Sequence, residues 1–170
     1  MLELIILRHA KAVAESDGPD RERHLKERGK NQALTQGAWL KAQNLMPTHI
    51  LCSPAARTRE TCAKLGEAWA SLPPIDMVAS LYAFGDGSPY IEAIMEMGGK
   101  NPRLMIIGHN PSVHSLALRL ASPENNTQAL NQLRQKYPTC SLAHLRFDIS
   151  DWSELTTGSG ELITFREPGI

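Results

Sequence analysis

Four consecutive apolar residues, Leu4-Ile5-Ile6-Leu7, stand near the start of the chain without a polar break. A short unalternated run suits a strand covered on both faces, as in a parallel sheet. A polar stretch from Glu15 to Lys30 follows, with Asp17, Gly18, Pro19 and Asp20 as turn formers. Apolar positions at Ala33, Leu34, Ala38, Leu40 and Ala42 predict a helix from about Glu27 to Asn44, stopped by Pro47. His49–Cys52 reads as a second strand, and Ser53-Pro54 as the start of a helix reaching about Trp69. After Pro73-Pro74 come a strand at Ile75–Ala79, a short helix near Pro89–Met97 and a strand at Arg103–Ile107. Asn110-Pro111 opens a helix to Ala121, and another covers about Thr127–Lys136. Ser141–Phe147 and Glu161–Phe165 are the last strands, close enough in sequence to pair antiparallel at one edge. Strands alternating with helices predict an α/β layer fold around a mostly parallel sheet.

Length and composition narrow the class. A chain of 170 residues is one domain, 1–170, large enough to bury a core without staples. With 42% apolar and 21% charged residues, disorder is excluded. The 18 basic residues balance the 18 acidic ones, so no global field grips nucleic acid or an anionic membrane. Any anion site must be local. Cys52, Cys62 and Cys140 are odd in number and form no CxxC pair, which supports neither a disulfide framework nor a zinc site. No apolar run approaches the ~18 residues of a membrane span, and the N-terminus lacks the form of a signal peptide. The expectation is a soluble, cytoplasmic monomer.

The candidate chemistry collects where three strands end. Arg8-His9 follows the first strand, Ser53 to Arg57 the second, and Gly108-His109-Asn110 the fourth. Ligands of open α/β sheets bind outside the carboxyl ends of the strands, so these segments are expected to share one crevice. Ser53 and Asn110 are N-cap residue types, each followed by Pro at the expected N1 position. Two helix N-termini would then present free amides to an anion. Arg57 and Arg8 add planar forks that match phosphate oxygens. His9, as a free base, suits nucleophilic attack on phosphorus, with its other ring nitrogen held by a backbone carbonyl. His109 is then expected as an imidazolium donor to the phosphate oxygens. No Asp-rich cluster accompanies them, so neither a metal nor another cofactor is expected.

Taken singly, each piece is ordinary. Ser-Pro and Asn-Pro start many helices, and Arg57 has Glu60 three residues on as an ion-pair partner. Cys52, Trp39 and Trp69 read as packing residues, and His49, His114 and His144 carry no clear chemistry. Joint placement at three strand ends is what points to phosphate.

The segments LRHAKA, CSPAARTRET and IIGHNPSV resemble the signatures of the histidine phosphatase (phosphoglycerate mutase-like) superfamily. DRERHLKERG, Leu81-Tyr82, GHNP, the Tyr137–Thr139 turn and the Trp152-to-FREP ending resemble its short, bacterial SixA-like phosphohistidine phosphatase branch. The resemblance implies a three-layer fold with helices on both faces of the sheet. It implies His9 as phosphate acceptor, with Arg8, Arg57 and His109 completing the pocket. Arg23 would lie at the rim or contact phosphate, and Ser53 and Asn110 would shape the site. His24 and Lys26 stand where that family often has Pro and Thr. No strong general acid is evident; Asp20 is the first candidate and Asp86 the second. A phosphoramidate nitrogen departs more readily than an alkoxide, so a phosphohistidine substrate asks less of such an acid. The implied activity is dephosphorylation of a phosphohistidine-bearing signalling or phosphotransfer protein. The competing readings are a phosphatase of small phosphate esters and a catalytically silent phosphate-binding module.

Overall fold

A computed structural model describes residues 1–14, 18–125 and 127–169, so Glu15 and Asp17 of the expected polar loop lie outside the described residues. Among the described residues, six strands form one sheet: β1 (Leu2–Arg8), β2 (His49–Cys52), β3 (Ile75–Met77), β4 (Arg103–Gly108), β5 (Leu142–Phe147) and β6 (Glu161–Arg166). Their order is β3-β2-β4-β1-β5-β6. The first four strands pair parallel, while β5 runs antiparallel to both β1 and β6. The sheet is thus mostly parallel with an antiparallel flank, as its strand pattern predicts.

Five α-helices among the described residues cover it: α1 (Glu27–Ala42), α2 (Ala56–Gly66), α3 (Ser88–Met97), α4 (Ser112–Leu120) and α5 (Gln128–Gln135). The alternation of side chains along each strand sorts the core into two layers. Leu4 and Ile6 of β1 and Leu104 and Ile106 of β4 face Ile94, Leu116 and Leu133 of α3, α4 and α5. Ile5, Leu7, Met105 and Ile107 face the other way, toward Leu40 of α1 and Leu65 of α2. Because both faces are covered, the central strands are apolar at nearly every position, which is why their runs do not alternate. Among the described residues no helix is long and apolar enough to cross a membrane.

Two helix starts differ from expectation. The residue capping α2 is Ala55 and that capping α4 is Pro111, so neither Ser53 nor Asn110 is an N-cap. Their side chains have tertiary partners instead. Ser53 Oγ lies 2.7 Å from His109 Nε2, and Asn110 Nδ2 donates to the Tyr137 carbonyl at 3.0 Å. Arg57 consequently stands second in α2.

Candidate active site

Register brings the two histidines together. Arg8 ends β1 opposite Gly108 at the end of β4, so His9 and His109 leave adjacent parallel strands at one level. The His9 amide donates to the Gly108 carbonyl at 3.0 Å, and the two rings lie 5.3 Å apart. The start of α2, following β2, adds Arg57. A cavity of about 200 Å³ is lined by Arg8, His9, Lys11, Arg23, Arg57, Phe84, His109, Asn110 and Thr139. The three strand ends therefore meet at one crevice.

His9 is held in one tautomer. Its Nδ1 donates to the Ala10 carbonyl at 2.8 Å, which leaves Nε2 as the nitrogen with a lone pair to attack. Thr61 Oγ1 accepts from the Ala10 amide at 3.0 Å and donates to the Arg57 carbonyl, tying this turn to α2. Burial, helped by the charges of Arg57 and Arg8, pushes the His9 pKa down to about 3. The ring is a free base at neutral pH, as a nucleophile must be.

His109 departs from expectation. Burial first, then neighbouring His9 and Arg57, lowers its pKa to about 3, so the ring is neutral at pH 7 and not an imidazolium. Nε2 is hydrogen-bonded to Ser53 Oγ, while Nδ1 is buried with no hydrogen-bond partner. Arg8 Nε and Arg57 Nε are likewise buried without partners. Buried nitrogens without partners are rare, and these three belong to residues that line one cavity. Nitrogens of two arginines and a histidine in one cavity suit an oxyanion.

Asp20 sits inside the cationic cluster. Arg57, with 2% of its side chain exposed, donates through Nη2 to Asp20 Oδ2 at 3.0 Å and through Nη1 to the Asp20 carbonyl at 2.8 Å. Arg23 Nε donates to Oδ1 at 2.9 Å, and the Tyr82 hydroxyl also donates to Oδ2. These bonds, that from Tyr82 foremost, hold the carboxyl far below the usual carboxylate range. As arranged, Asp20 has no proton to donate near neutral pH, which argues against the acid role expected of it. Asp86 is absent from the cavity lining; its Oδ1 accepts from the Ser88 amide at the start of α3.

Arg23 is among the residues lining the cavity, and its Nη1 donates to the Val13 carbonyl at 2.8 Å. Glu60 pairs with His24, not with Arg57: its two oxygens accept from the His24 ring at 2.6 Å and the Leu25 amide at 2.7 Å. Lys11, Tyr82, Phe84 and Thr139 at or beside the cavity went unassigned in the sequence. Lys11 had a signal, since it continues the polypeptide two residues past His9. Phe84 had none, because its loop reaches the site only through tertiary folding. Among the described residues, no group of three or more His, Cys, Asp or Glu side chains is placed to hold a metal ion.

Residues 4–81 match the family model described as the histidine phosphatase superfamily (branch 1). An uncharacterized protein of Mycobacterium tuberculosis, Rv1276c, is 32% identical over 163 residues, covering 95% of this chain and 99% of its own. A structure from Nakamurella multipartitia, assigned as phosphohistidine phosphatase SixA, superposes with a TM-score of 0.85 at 24% identity, covering 98% of this chain and 96% of its own. A second, from Agrobacterium tumefaciens and assigned likewise, has a TM-score of 0.78 at 25% identity and 98% coverage of both chains.

Proposed function

The chain belongs to the histidine phosphatase superfamily, and from that premise we propose a phosphatase that passes the phosphoryl group through His9. The observation that carries this reading is the His9 ring, fixed through Nδ1 by the Ala10 carbonyl on the wall of an arginine-lined cavity. Nε2 attacks phosphorus, the P–N bond forms, and the bond to the leaving group breaks on the opposite side. The Ala10 carbonyl stabilises the positive charge that spreads over the imidazole. Arg8, Arg57 and His109 balance charge on the equatorial oxygens, the work a metal ion does in many phosphoryl transfers. Water then attacks the phosphohistidine, releasing inorganic phosphate and regenerating the free base. Because the side chains themselves supply the cations, the proposed reaction is metal-independent.

The proposed substrate is phosphohistidine on a signalling or phosphotransfer protein. Two observations favour it over small phosphate esters. Asp20, the carboxylate paired with Arg57, is held ionised, and a phosphoramidate nitrogen needs less acid assistance than an alkoxide. The structural relatives named as SixA proteins carry the same substrate class in their names.

Rapid mixing with a ³²P-labelled phosphohistidine protein, quenched in alkali, tests the proposal. The wild-type chain should carry an acid-labile, alkali-stable label. His9→Ala should carry none and lose at least about 10³-fold in turnover. Normal turnover by His9→Ala would remove the nucleophile. A kcat/KM orders of magnitude higher for a small phosphate ester would move the substrate to that class.

A further inference from the structure

Phe84 lines the cavity yet leaves 53% of its surface in solvent. Its ring centroid is 5.2 Å from His109, and Tyr82 meets it edge-on at 5.2 Å and 78°. The backbone around it is pinned. Ser112, almost fully buried in the first turn of α4, donates through Oγ to the Ala83 carbonyl at 2.7 Å and accepts from the Gly85 amide at 2.9 Å. One hydroxyl thus ties down both neighbours of Phe84. A large apolar ring held rigidly at a polar site forgoes burial in the free protein, and a ligand surface is what would recover it.

Depth indicates which part of a ligand it meets. His9 and His109 are 8% and 1% exposed and form the floor, whereas Phe84 stands at the mouth. In-line transfer to His9 puts the leaving group on the side of phosphorus away from the floor. We infer that Phe84 is a specificity-determining residue whose ring stacks on a planar aromatic leaving group, imidazole or aryl, as the phosphoryl group passes to His9. Offset stacking of this kind discriminates a planar ring from an alkyl chain of similar polarity. The inference rests on the phosphatase reading above and narrows its substrates to those with a flat leaving group.

Phosphonates test it without turnover, because their P–C bond is not hydrolysed. Calorimetric titration of the full chain compares phenylphosphonate, methylphosphonate and inorganic phosphate. Wild type should prefer the phenyl ligand over the methyl one. Expressed relative to inorganic phosphate binding in each protein, Phe84→Ala should reduce that preference about three- to tenfold and Phe84→Tyr should keep it. A preference that persists in Phe84→Ala, or is missing in wild type, overturns the inference. Turnover of the phosphohistidine protein is read separately. Failure of turnover beside a Phe84-dependent preference removes the phosphatase reading and keeps the ring contact. Turnover with a preference indifferent to Phe84 removes the ring contact alone.

Discussion

A carboxylate accepting from two guanidiniums and a phenol is an anion in a place built for anions. On the proposed function, Asp20 therefore competes with a phosphoryl group for Arg57. Asp20→Asn removes that competition and should tighten inorganic phosphate binding about three- to tenfold in calorimetry, on the scale of one screened charge pair. Because Asp20 is partly exposed, the accompanying stability loss should be only about 1–2 kcal/mol by urea titration. Turnover of a phosphohistidine protein should stay within about tenfold of wild type, since no proton is taken away. A fall of about 10³-fold in turnover would instead identify Asp20 as the acid. That Asp20 lies near the site was legible in the sequence. How firmly it is held as an anion was not, because that depends on Arg57, 37 positions away, and Tyr82, 62 positions away.

At the scale of elements, the turn from β4 into α4 carries His109 and is fastened by α3. The buried Tyr90 hydroxyl accepts from the His109 amide at 3.1 Å and donates to the Leu81 carbonyl at 2.7 Å. Gly108 makes this approach possible, since a Cβ there would lie 2.1 Å from the same hydroxyl. Tyr90→Phe leaves an amide and a carbonyl buried without this partner and should cost about 1–3 kcal/mol in chemical denaturation. It should also lower turnover more than it raises KM, because His109 loses its backbone anchor. A stability change below about 0.5 kcal/mol would show that water replaces the hydroxyl. The pattern of the chain placed Tyr90 in a helix near the right bounds, but not as the clamp on a distant turn. The same limit explains the two misplaced helix starts. Ser53 and Asn110 have capping chemistry, yet His109 and Tyr137 offer these side chains other partners.

For the molecule as a whole, two neutral histidines buried among arginines link stability to pH. Each has a folded pKa of about 3, below an unfolded value of about 6.5. The unfolded chain therefore takes up more protons below pH 6.5, so their contribution is complete above that pH and declines as pH falls toward 3. Two such groups give at most about 2–3 kcal/mol per pH unit within that window. Denaturation midpoints should drop steeply from pH 6.5 to 4.5, and the His9→Asn/His109→Asn double variant should show a shallower slope. Equal slopes would place the acid sensitivity elsewhere, with His144, lowered by its own burial, the next candidate. The sequence by itself determined the alternation of strands and helices, the two-sided burial of the sheet and the strand ends where histidine and arginine gather. These follow from local periodicity and from the rule that α/β sheets bind at their carboxyl edge. Only the tertiary structure decided the charge of His109, the pairing of Asp20 and the exposure of Phe84. Each of these depends on which distant groups share a few ångströms of low-dielectric space, and no local pattern encodes that distance.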